Sequence, residues 1–296
     1  MAAGEESAVE KVGGQVREKA RELLASGQVE LVIGYRRASD GVTARPAFIR
    51  KAEDADKLIF DQTCTHNLGK YALEHRGKAI AIVAKACDTF GLNVLLQEKQ
   101  LAREKLYIIG INCPGVMEVA FGRVGTELQY RCLICQEHAP AVHDYVAGDP
   151  VEEKPLNFDP YAKVKELESL SHEERVAFWE KQFGRCIRCY ACRNACPQCY
   201  CTECVVEQID PNWVGVPIQV PEKQIFHIIR AFHLAGRCVG CNECERACPV
   251  GIPLSLLNMK FSLEVEDQFG YKPGRDPAVC APLATYVPDE ELGIGG

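Results

Sequence analysis

The distribution of cysteine constrains this chain more than any other feature of its sequence. Seventeen of the 296 residues are cysteines, and most of them fall in two short stretches, 186–204 and 238–248. The chain opens without the basic start and apolar stretch of a secretory signal, so we expect a cytoplasmic protein. Cytosolic thiols stay reduced, which argues against a disulfide framework and leaves metal ligation as the role of these residues.

The two stretches contain an internal repeat. Residues 185–197 align without gaps with residues 237–249, and each copy reads C-x2-C-x2-C-x3-C-P. This is the spacing that holds a 4Fe-4S cluster, and in two-cluster ferredoxins the fourth cysteine of each motif ligates the other cluster. The repeat therefore predicts two clusters, one on Cys186, Cys189, Cys192 and Cys248, and the other on Cys238, Cys241, Cys244 and Cys196. A pair of structural zinc ions is the alternative, since zinc also accepts four thiolates.

Three further cysteines follow the first motif within six residues. Cys199, Cys201 and Cys204 are close enough in sequence to hold three corners of another metal centre, with a fourth ligand from elsewhere in the chain. We expect a further iron–sulfur cluster here. Buried thiols without a ligand role, or a zinc site, are the alternatives.

Composition excludes several classes of function. Acidic residues outnumber basic ones by 41 to 34 and give a net charge of −7, whereas a nucleic-acid-binding protein needs a basic face. No apolar run approaches the roughly 20 residues of a membrane-spanning helix. Hydrophobic residues make up 47% of the chain, which is typical of a globular protein.

The pattern of apolar runs predicts an α/β N-terminal domain followed by a mainly helical domain. Short runs at 29–34, 58–61, 78–85 and 106–111 are candidate strands, and helices are expected at 67–75 and from Asp88 to Gln100. Alternating strands and helices favour a small, mostly parallel sheet. In the second half, Ser171 and Glu174 form a capping box, and helices are expected at 223–234 and 253–268.

Four segments follow from this pattern. We expect the α/β domain at 1–148 and a proline-containing linker at 149–160, where prolines restrict the backbone. The helical dicluster ferredoxin domain is expected at 161–272, and an irregular tail at 273–296.

The cysteines of the first half suggest a site at one edge of the sheet. Cys64, Cys87 and Cys113 each follow a predicted strand, and open α/β sheets bind ligands beyond the carboxyl ends of their strands. Cys132 and Cys135 form a C-x2-C pair that could close such a site. Structural zinc and plain buried thiols are the alternatives.

Short motifs around these cysteines resemble a known family. Residues 84–88, 111–115, 131–135 and 142–149 look like the beta-subunit family of coenzyme F420-reducing hydrogenases and formate dehydrogenases. The resemblance implies a 4Fe-4S cluster beside a flavin, with Cys87, Cys113, Cys132 and Cys135 as cluster ligands. The helix-flanked second half is similar to the ferredoxin modules of heterodisulfide reductase subunits.

These features predict an iron–sulfur electron-transfer subunit of a soluble, multi-subunit oxidoreductase. The resemblance implies redox partners such as a flavoprotein, a formate dehydrogenase, a hydrogenase or a heterodisulfide reductase, including electron-bifurcating assemblies. An FAD-containing subunit that oxidises or reduces coenzyme F420 or NAD(P)H is the alternative, although the chain has neither a G-x-G-x-x-G motif nor a phosphate loop. A zinc-stabilised scaffold without redox activity is the second alternative.

Charge within the motifs predicts an order of reduction. The first motif contains three arginines (Arg185, Arg188 and Arg193) and no acid, whereas Glu243 and Glu245 offset the arginines of the second. Positive charge favours the reduced cluster. We therefore expect the cluster on Cys186, Cys189 and Cys192 to be reduced first.

Overall fold

The N-terminal half is built around a five-stranded sheet. The structure is a computed structural model, and it describes residues 8–120, 122–152, 155–215 and 217–282. Its strands are β1 (Leu31–Arg37), β2 (Ala44–Ile49), β3 (Ile80–Lys85), β4 (Leu106–Ile111), β5 (Met117–Ala120), β6 (Arg123–Leu128) and β7 (Tyr145–Ala147). The main sheet has the order β2-β1-β3-β4-β7, and β5 pairs with β6 in a separate hairpin.

The sheet is mostly parallel, as the sequence predicts. β1, β3, β4 and β7 run parallel to their neighbours, and only β2 pairs antiparallel, along the outer edge of β1. Every residue of β3 is buried, which is why this central strand reads as an unbroken apolar run. The predicted α/β class of the first half is confirmed.

Four helices accompany this sheet: α1 (Ala8–Ala25), α2 (Gly69–Glu74), α3 (Ala86–Gln97) and α4 (Tyr130–Leu133). α1, which the sequence analysis did not predict, packs against the four parallel strands. α3 begins directly at the end of β3. Lys85 is its N-cap residue and Asp88 lies three positions on in a capping box, so Asp88 is not the cap itself.

Some strands differ from the prediction. The expected strand at 58–61 is reduced to one bridge between Tyr35 and Ile59. β2 was missed because its buried and exposed residues do not alternate regularly and it carries Pro46, a residue that is confined to edge strands. β7 was missed because a three-residue strand has no detectable periodicity.

The C-terminal half is helical, as predicted. Its helices are α5 (Ala162–Glu168), α6 (His172–Gly184), α7 (Ala191–Ala195), α8 (Val220–Leu234), α9 (Glu243–Arg246) and α10 (Leu254–Phe269). The capping box before α6 is confirmed: the Glu174 amide donates to Ser171 Oγ at 3.2 Å, and the Ser171 amide donates to Glu174 Oε2 at 2.9 Å.

The internal repeat recurs in the backbone. Arg188 and Gly240 occupy equivalent positions and both have positive φ, at 51° and 71°. Tyr190 and Asn242, which precede α7 and α9, are also equivalent and have φ of 57° and 58°. The two motifs therefore turn in the same way on either side of their second cysteine.

The two halves pack tightly against each other. Phe90 and Val94 of α3 share an apolar cluster with Val239 and Cys241 of the second motif. The described parts of the expected linker, 149–152 and 155–160, contain neither helix nor strand, and the expected tail beyond residue 282 lies outside the described residues. Among the helices that the structure describes, none is long and apolar enough to cross a membrane.

Candidate metal centres

The carboxyl edge of the sheet carries a cavity lined by four thiols. Cys87 lies in the first turn of α3, just after β3, and Cys113 follows the neighbouring strand β4. Cys132 lies in α4 and Cys135 two residues beyond it, and all four cysteines line the same cavity. We call this cavity the N-terminal site. These are the four residues that the resemblance implies as cluster ligands.

Backbone contacts hold these thiols in position. The Val116 amide donates to Cys132 Sγ at 3.4 Å, and the Cys135 thiol donates to the Glu137 carbonyl at 3.3 Å. Burial raises the pKa of the Cys113 thiol to about 11. Because a metal ligand must be a thiolate, metal binding at this site would release protons.

Cys64, the fifth candidate at this edge, lies outside the cavity. It is fully buried, and the Asp61 amide donates to its Sγ at 3.4 Å. Burial raises the pKa of this thiol to about 12. The structure therefore brings together four of the five cysteines that the sequence analysis singled out here.

A buried ion pair borders the N-terminal site. Lys85 lines the cavity, and its Nζ lies 2.8 Å from Asp88 Oδ2, with both side chains at most 1% exposed. Lys85 also donates to the Tyr35 hydroxyl and, at 2.8 Å, to the His66 carbonyl. Burial opposes the charge of Lys85, but the Asp88 carboxylate outweighs it and the pKa of Lys85 is raised. The charge of Lys85 is thus neutralised locally.

Arg131 connects the N-terminal site to the second half of the chain. It lines the cavity and is 9% exposed. Its guanidinium donates to Gln129 Oε1 at 2.7 Å, to the Thr65 carbonyl at 2.6 Å and to the Cys241 carbonyl. One side chain therefore reaches both this cavity and a cysteine of the second motif.

The first ferredoxin motif closes with a cysteine of the second. One cavity is lined by the four cysteines predicted for the first cluster, Cys186, Cys189, Cys192 and Cys248. The Arg188 amide donates to Cys186 Sγ at 3.3 Å, and the Ile252 amide donates to Cys248 Sγ at 3.4 Å. We call this ferredoxin site I. Cys189 is its exposed member.

The reciprocal arrangement brings Cys196 to the second motif. The Cys196 thiol interacts electrostatically with the thiols of Cys238, Cys241 and Cys244. Burial raises the pKa of Cys244 to about 12, and Asn258 Nδ2 donates to its Sγ at 3.4 Å. We call this ferredoxin site II. The crossed grouping matches the one predicted from the motifs.

The remaining three cysteines of the first stretch lie over α8. Cys199, Cys201 and Cys204 line one cavity, and His233 in the last turn of α8 lines it too. Cys199 also contacts the thiol of Cys196. No sequence pattern indicates His233, because only the folding of the loop over α8 brings it near the three cysteines.

Arg230 on α8 is the functional residue that sequence analysis missed. Its Nη2 donates to the Cys192 carbonyl at 3.1 Å, and its buried Nε has no hydrogen-bond partner. Burial disfavours its charge, but the neighbouring thiols of Cys244, Cys196, Cys199 and Cys192 outweigh this and raise its pKa. Arg230 lies outside both motifs, so no motif pattern could indicate it.

The charges inside the motifs are largely neutralised. Arg193 pairs with Glu207 at 2.7 Å, and Glu243 pairs with Arg246 at 2.6 Å. Arg185 is exposed. The expected order of reduction rests on the sum of charges along each motif. That sum omits the ion-pair partners that the folded chain brings close to these residues.

A larger cavity of about 430 Å³ lies between the two halves. Cys87 and Cys135 of the N-terminal site line one part of it, and Cys238 of ferredoxin site II lines another. Lys272 and Arg275 line it as well, and they form ion pairs of 3.0 Å with Glu266 and Glu137 of the same wall. Its volume is within the range of cofactor sites.

Comparison with known proteins extends the resemblance beyond the short motifs. No family model matches the chain. The F420-dependent formate dehydrogenase subunit beta of Methanocaldococcus jannaschii is 25% identical over 352 aligned positions, covering 89% of this chain and 92% of that protein. The F420-dependent formate dehydrogenase 1 subunit beta of Methanococcus maripaludis is 24% identical over 369 positions, covering 94% and 95%.

These alignments cover both halves of the molecule. Because each is longer than the 296 residues of this chain, both relatives carry segments that this chain lacks. The resemblance to the beta-subunit family is confirmed, and it is not limited to the region around the first five cysteines.

Proposed function

We propose that this chain, which resembles F420-dependent formate dehydrogenase beta subunits over about nine tenths of its length, is the iron–sulfur subunit of a multi-subunit oxidoreductase. It relays electrons between a catalytic or flavin-containing subunit and a second redox partner. When bound, 4Fe-4S clusters supply one-electron transfer at each site. The relatives act in formate dehydrogenases, and we extend that setting to this chain.

The observation that carries the proposal is the grouping of the cysteines. Three separate sets of four thiols come together, at the N-terminal site and at ferredoxin sites I and II. Two of these sets form only by exchange of the fourth cysteine between motifs, which is the ligand pattern of two-cluster ferredoxins. The residues present therefore fit the clusters.

The spacing of the cysteines along the sequence supports an iron–sulfur centre over zinc. Residues 185–197 and 237–249 both read C-x2-C-x2-C-x3-C-P, which is the ligand spacing of 4Fe-4S clusters.

The loop with Cys199, Cys201 and Cys204 is our candidate for a fourth centre. His233 lines the same cavity, and an imidazole is an accepted alternative to thiolate in some iron–sulfur clusters. We therefore assign the fourth ligand of this centre to His233.

Ferredoxin site I reaches the protein surface, and we propose that electrons leave the chain there. Its ligand Cys189 is exposed, and the neighbouring Ile187 is 56% exposed.

Metal analysis of anaerobically purified protein tests this proposal. We expect about 12 iron and 12 sulfide per chain for three four-iron clusters, or about 16 of each if the fourth centre is filled. The reduced clusters should then be reoxidised by the partner subunit that co-purifies with the chain. Stoichiometric zinc with negligible iron and sulfide would overturn the proposal.

A flavin-containing subunit is the second candidate, and one observation favours it. The cavity of about 430 Å³ lies beside both the N-terminal site and Cys238, with Tyr161 and Tyr271 among its lining residues. An FAD placed there would exchange electrons with coenzyme F420 or NAD(P)H. Release of stoichiometric flavin on denaturing the purified protein is the expected result, and protein with full iron but no flavin would exclude this candidate.

A further inference from the structure

Two buried arginines lie at the junctions between the cysteine sites. Arg131 is 9% exposed and Arg230 is 6% exposed. Among the described residues, neither has a carboxylate within ion-pair distance. Burying an unpaired cation is costly, so these positive charges require anionic neighbours of another kind.

The neighbours of Arg230 are thiols of both ferredoxin sites, together with Cys199 of the loop that lies over α8. Cys192 belongs to site I, whereas Cys196 and Cys244 belong to site II, and all three interact electrostatically with the guanidinium. Its guanidinium donates to the Cys192 carbonyl, and its buried Nε–H has no acceptor among the described residues. A centre that carries negative charge on either side of Arg230 would compensate this cation.

Arg131 occupies the corresponding place between the N-terminal site and ferredoxin site II. It interacts with the thiols of Cys87 and Cys132 on one side and of Cys241 on the other, together with the carboxylate of Glu243. Its donation to the Cys241 carbonyl fixes it against the second motif. Arg131 therefore faces the N-terminal site and site II, and Arg230 faces site II and site I.

We propose that Arg131 and Arg230 are positioning residues, and that each raises the reduction potential of the two centres it faces. Electrons then pass in the order N-terminal site, ferredoxin site II, ferredoxin site I. This inference rests on the proposed function. Reduction adds a negative charge to a centre, and a nearby cation stabilises that state. Screening by salt is weak for buried charges, so both arginines act at full strength.

The arginines of the motifs lack this combination of features. Arg193 is neutralised by Glu207, and Arg185 is exposed to solvent. Arg188 is buried, but its guanidinium is held by the carbonyls of Gly215 and Pro217 and by the Tyr190 hydroxyl. We therefore expect the reduction potentials to depend on the placement of Arg131 and Arg230 between the sites, and not on the net charge of each motif.

Redox titration of the whole purified chain, followed by electron paramagnetic resonance, tests the inference. Arg230→Gln should lower the potentials of sites I and II and leave the N-terminal site unchanged. Arg131→Gln should lower the potentials of the N-terminal site and site II and leave site I unchanged. Only site II should respond to both substitutions.

Two further variants separate charge from structure. Arg230→Lys keeps the charge and should keep both potentials closer to wild type than Arg230→Gln does. In the matched control, Arg237→Gln combined with Glu98→Gln removes a half-buried ion pair of 2.6 Å beside Cys238 without changing net charge. This double variant should shift no centre.

The outcomes distinguish this inference from the proposed function. Equal shifts at all three centres, no shifts, or equal effects of Arg230→Lys and Arg230→Gln would overturn the inference while leaving the relay intact. If Arg230→Gln does not retain its iron, Arg131→Gln and Arg230→Lys still decide it. Wild-type protein without iron would instead overturn the proposed function itself.

Discussion

The N-terminal site and the two ferredoxin sites gather their cysteines in different ways. Each ferredoxin motif supplies three thiols from a segment of seven residues, shaped by the same turn in both copies. The N-terminal site takes its thiols from α3, from the loop after β4 and from α4. The ferredoxin sites depend on local backbone geometry, whereas the N-terminal site depends on a correctly assembled sheet.

The difference has consequences for stability. Loss of a thiol from a ferredoxin motif also affects the partner motif, because the fourth ligands are exchanged. Loss of a thiol from the N-terminal site leaves the exchanged pair untouched. Ferredoxin site II connects the two kinds of site, because Cys241 packs against α3 and its carbonyl accepts a hydrogen bond from Arg131.

Ligand removal should give the largest effect and tests whether the two kinds of site are independent. Cys113→Ala should lower the iron content by about four atoms per chain and leave both ferredoxin signals intact. Cys241→Ala should remove the site II signal and broaden that of site I. The control Cys280→Ala, at an exposed cysteine, should lose no iron. Loss of all clusters in Cys113→Ala would contradict this independence.

The exchange of ligands can be tested by pairing variants. Cys196→Ser and Cys241→Ser should alter the same cluster, and Cys248→Ser and Cys189→Ser should alter the other. The reason is that Cys196 lies with the second motif and Cys248 with the first. If the spectrum of Cys196→Ser matches that of Cys189→Ser instead, each motif closes on itself.

The two kinds of site also differ in how far sequence could predict them. The three thiols that each motif contributes follow from motif spacing, because they share one local turn, and the exchange of the fourth thiol was inferred from the ligand pattern of two-cluster ferredoxins. The gathering of Cys87 and Cys113 could be predicted because parallel strands end at one edge. Cys64 follows the run at 58–61, which forms no full strand, and it does not line the N-terminal site.

The charges around the sites could not be predicted in this way. Arg131 lies beside Cys132 in sequence, but its contact with Cys241 requires the two halves to pack together. Arg230 and His233 reach their cysteines only because a loop folds over α8. These are tertiary contacts between distant segments, and no local pattern encodes them.

Removal of the buried Lys85 should lower the stability of the half that contains the N-terminal site. Lys85→Met leaves Asp88 buried without its cation, and we expect a loss of about 3–5 kcal/mol in the free energy of unfolding. Anaerobic urea denaturation measures this loss. The counterpart in the ferredoxin half is Lys260→Met, which removes partly exposed ion pairs with Glu168 and Glu264.

The control should be much milder, at about 1 kcal/mol or less, because exposed ion pairs contribute little. Equal losses in the two variants would mean that the Lys85–Asp88 pair is not specially important to the N-terminal half. A loss confined to Lys85→Met, together with weaker iron binding at the N-terminal site only, would sharpen the contrast between the halves.

The smallest effect concerns a buried histidine in the ferredoxin half. His227 stacks on Phe183 with ring centroids 4.8 Å apart, and neither of its ring nitrogens has a hydrogen-bond partner. Burial lowers its pKa from 6.5 to about 3, so the folded chain holds it neutral where the unfolded chain would protonate it. Its contribution to stability is therefore complete above pH 6.5 and declines as the pH falls towards 3.

We expect the free energy of unfolding to decrease by about 1.4 kcal/mol for each pH unit below 6.5 on account of His227. His227→Phe keeps the ring stacking and removes the titrating group, so its stability should depend less on pH by this amount. Denaturation of both proteins at pH 7.5 and about pH 5.5 measures the difference, and the iron content of each is followed in parallel because His227 also lines ferredoxin site I. Parallel profiles of stability against pH for the two proteins would show that His227 is protonated in the folded chain. The ferredoxin half would then bury a positive charge, as the N-terminal half does with Lys85.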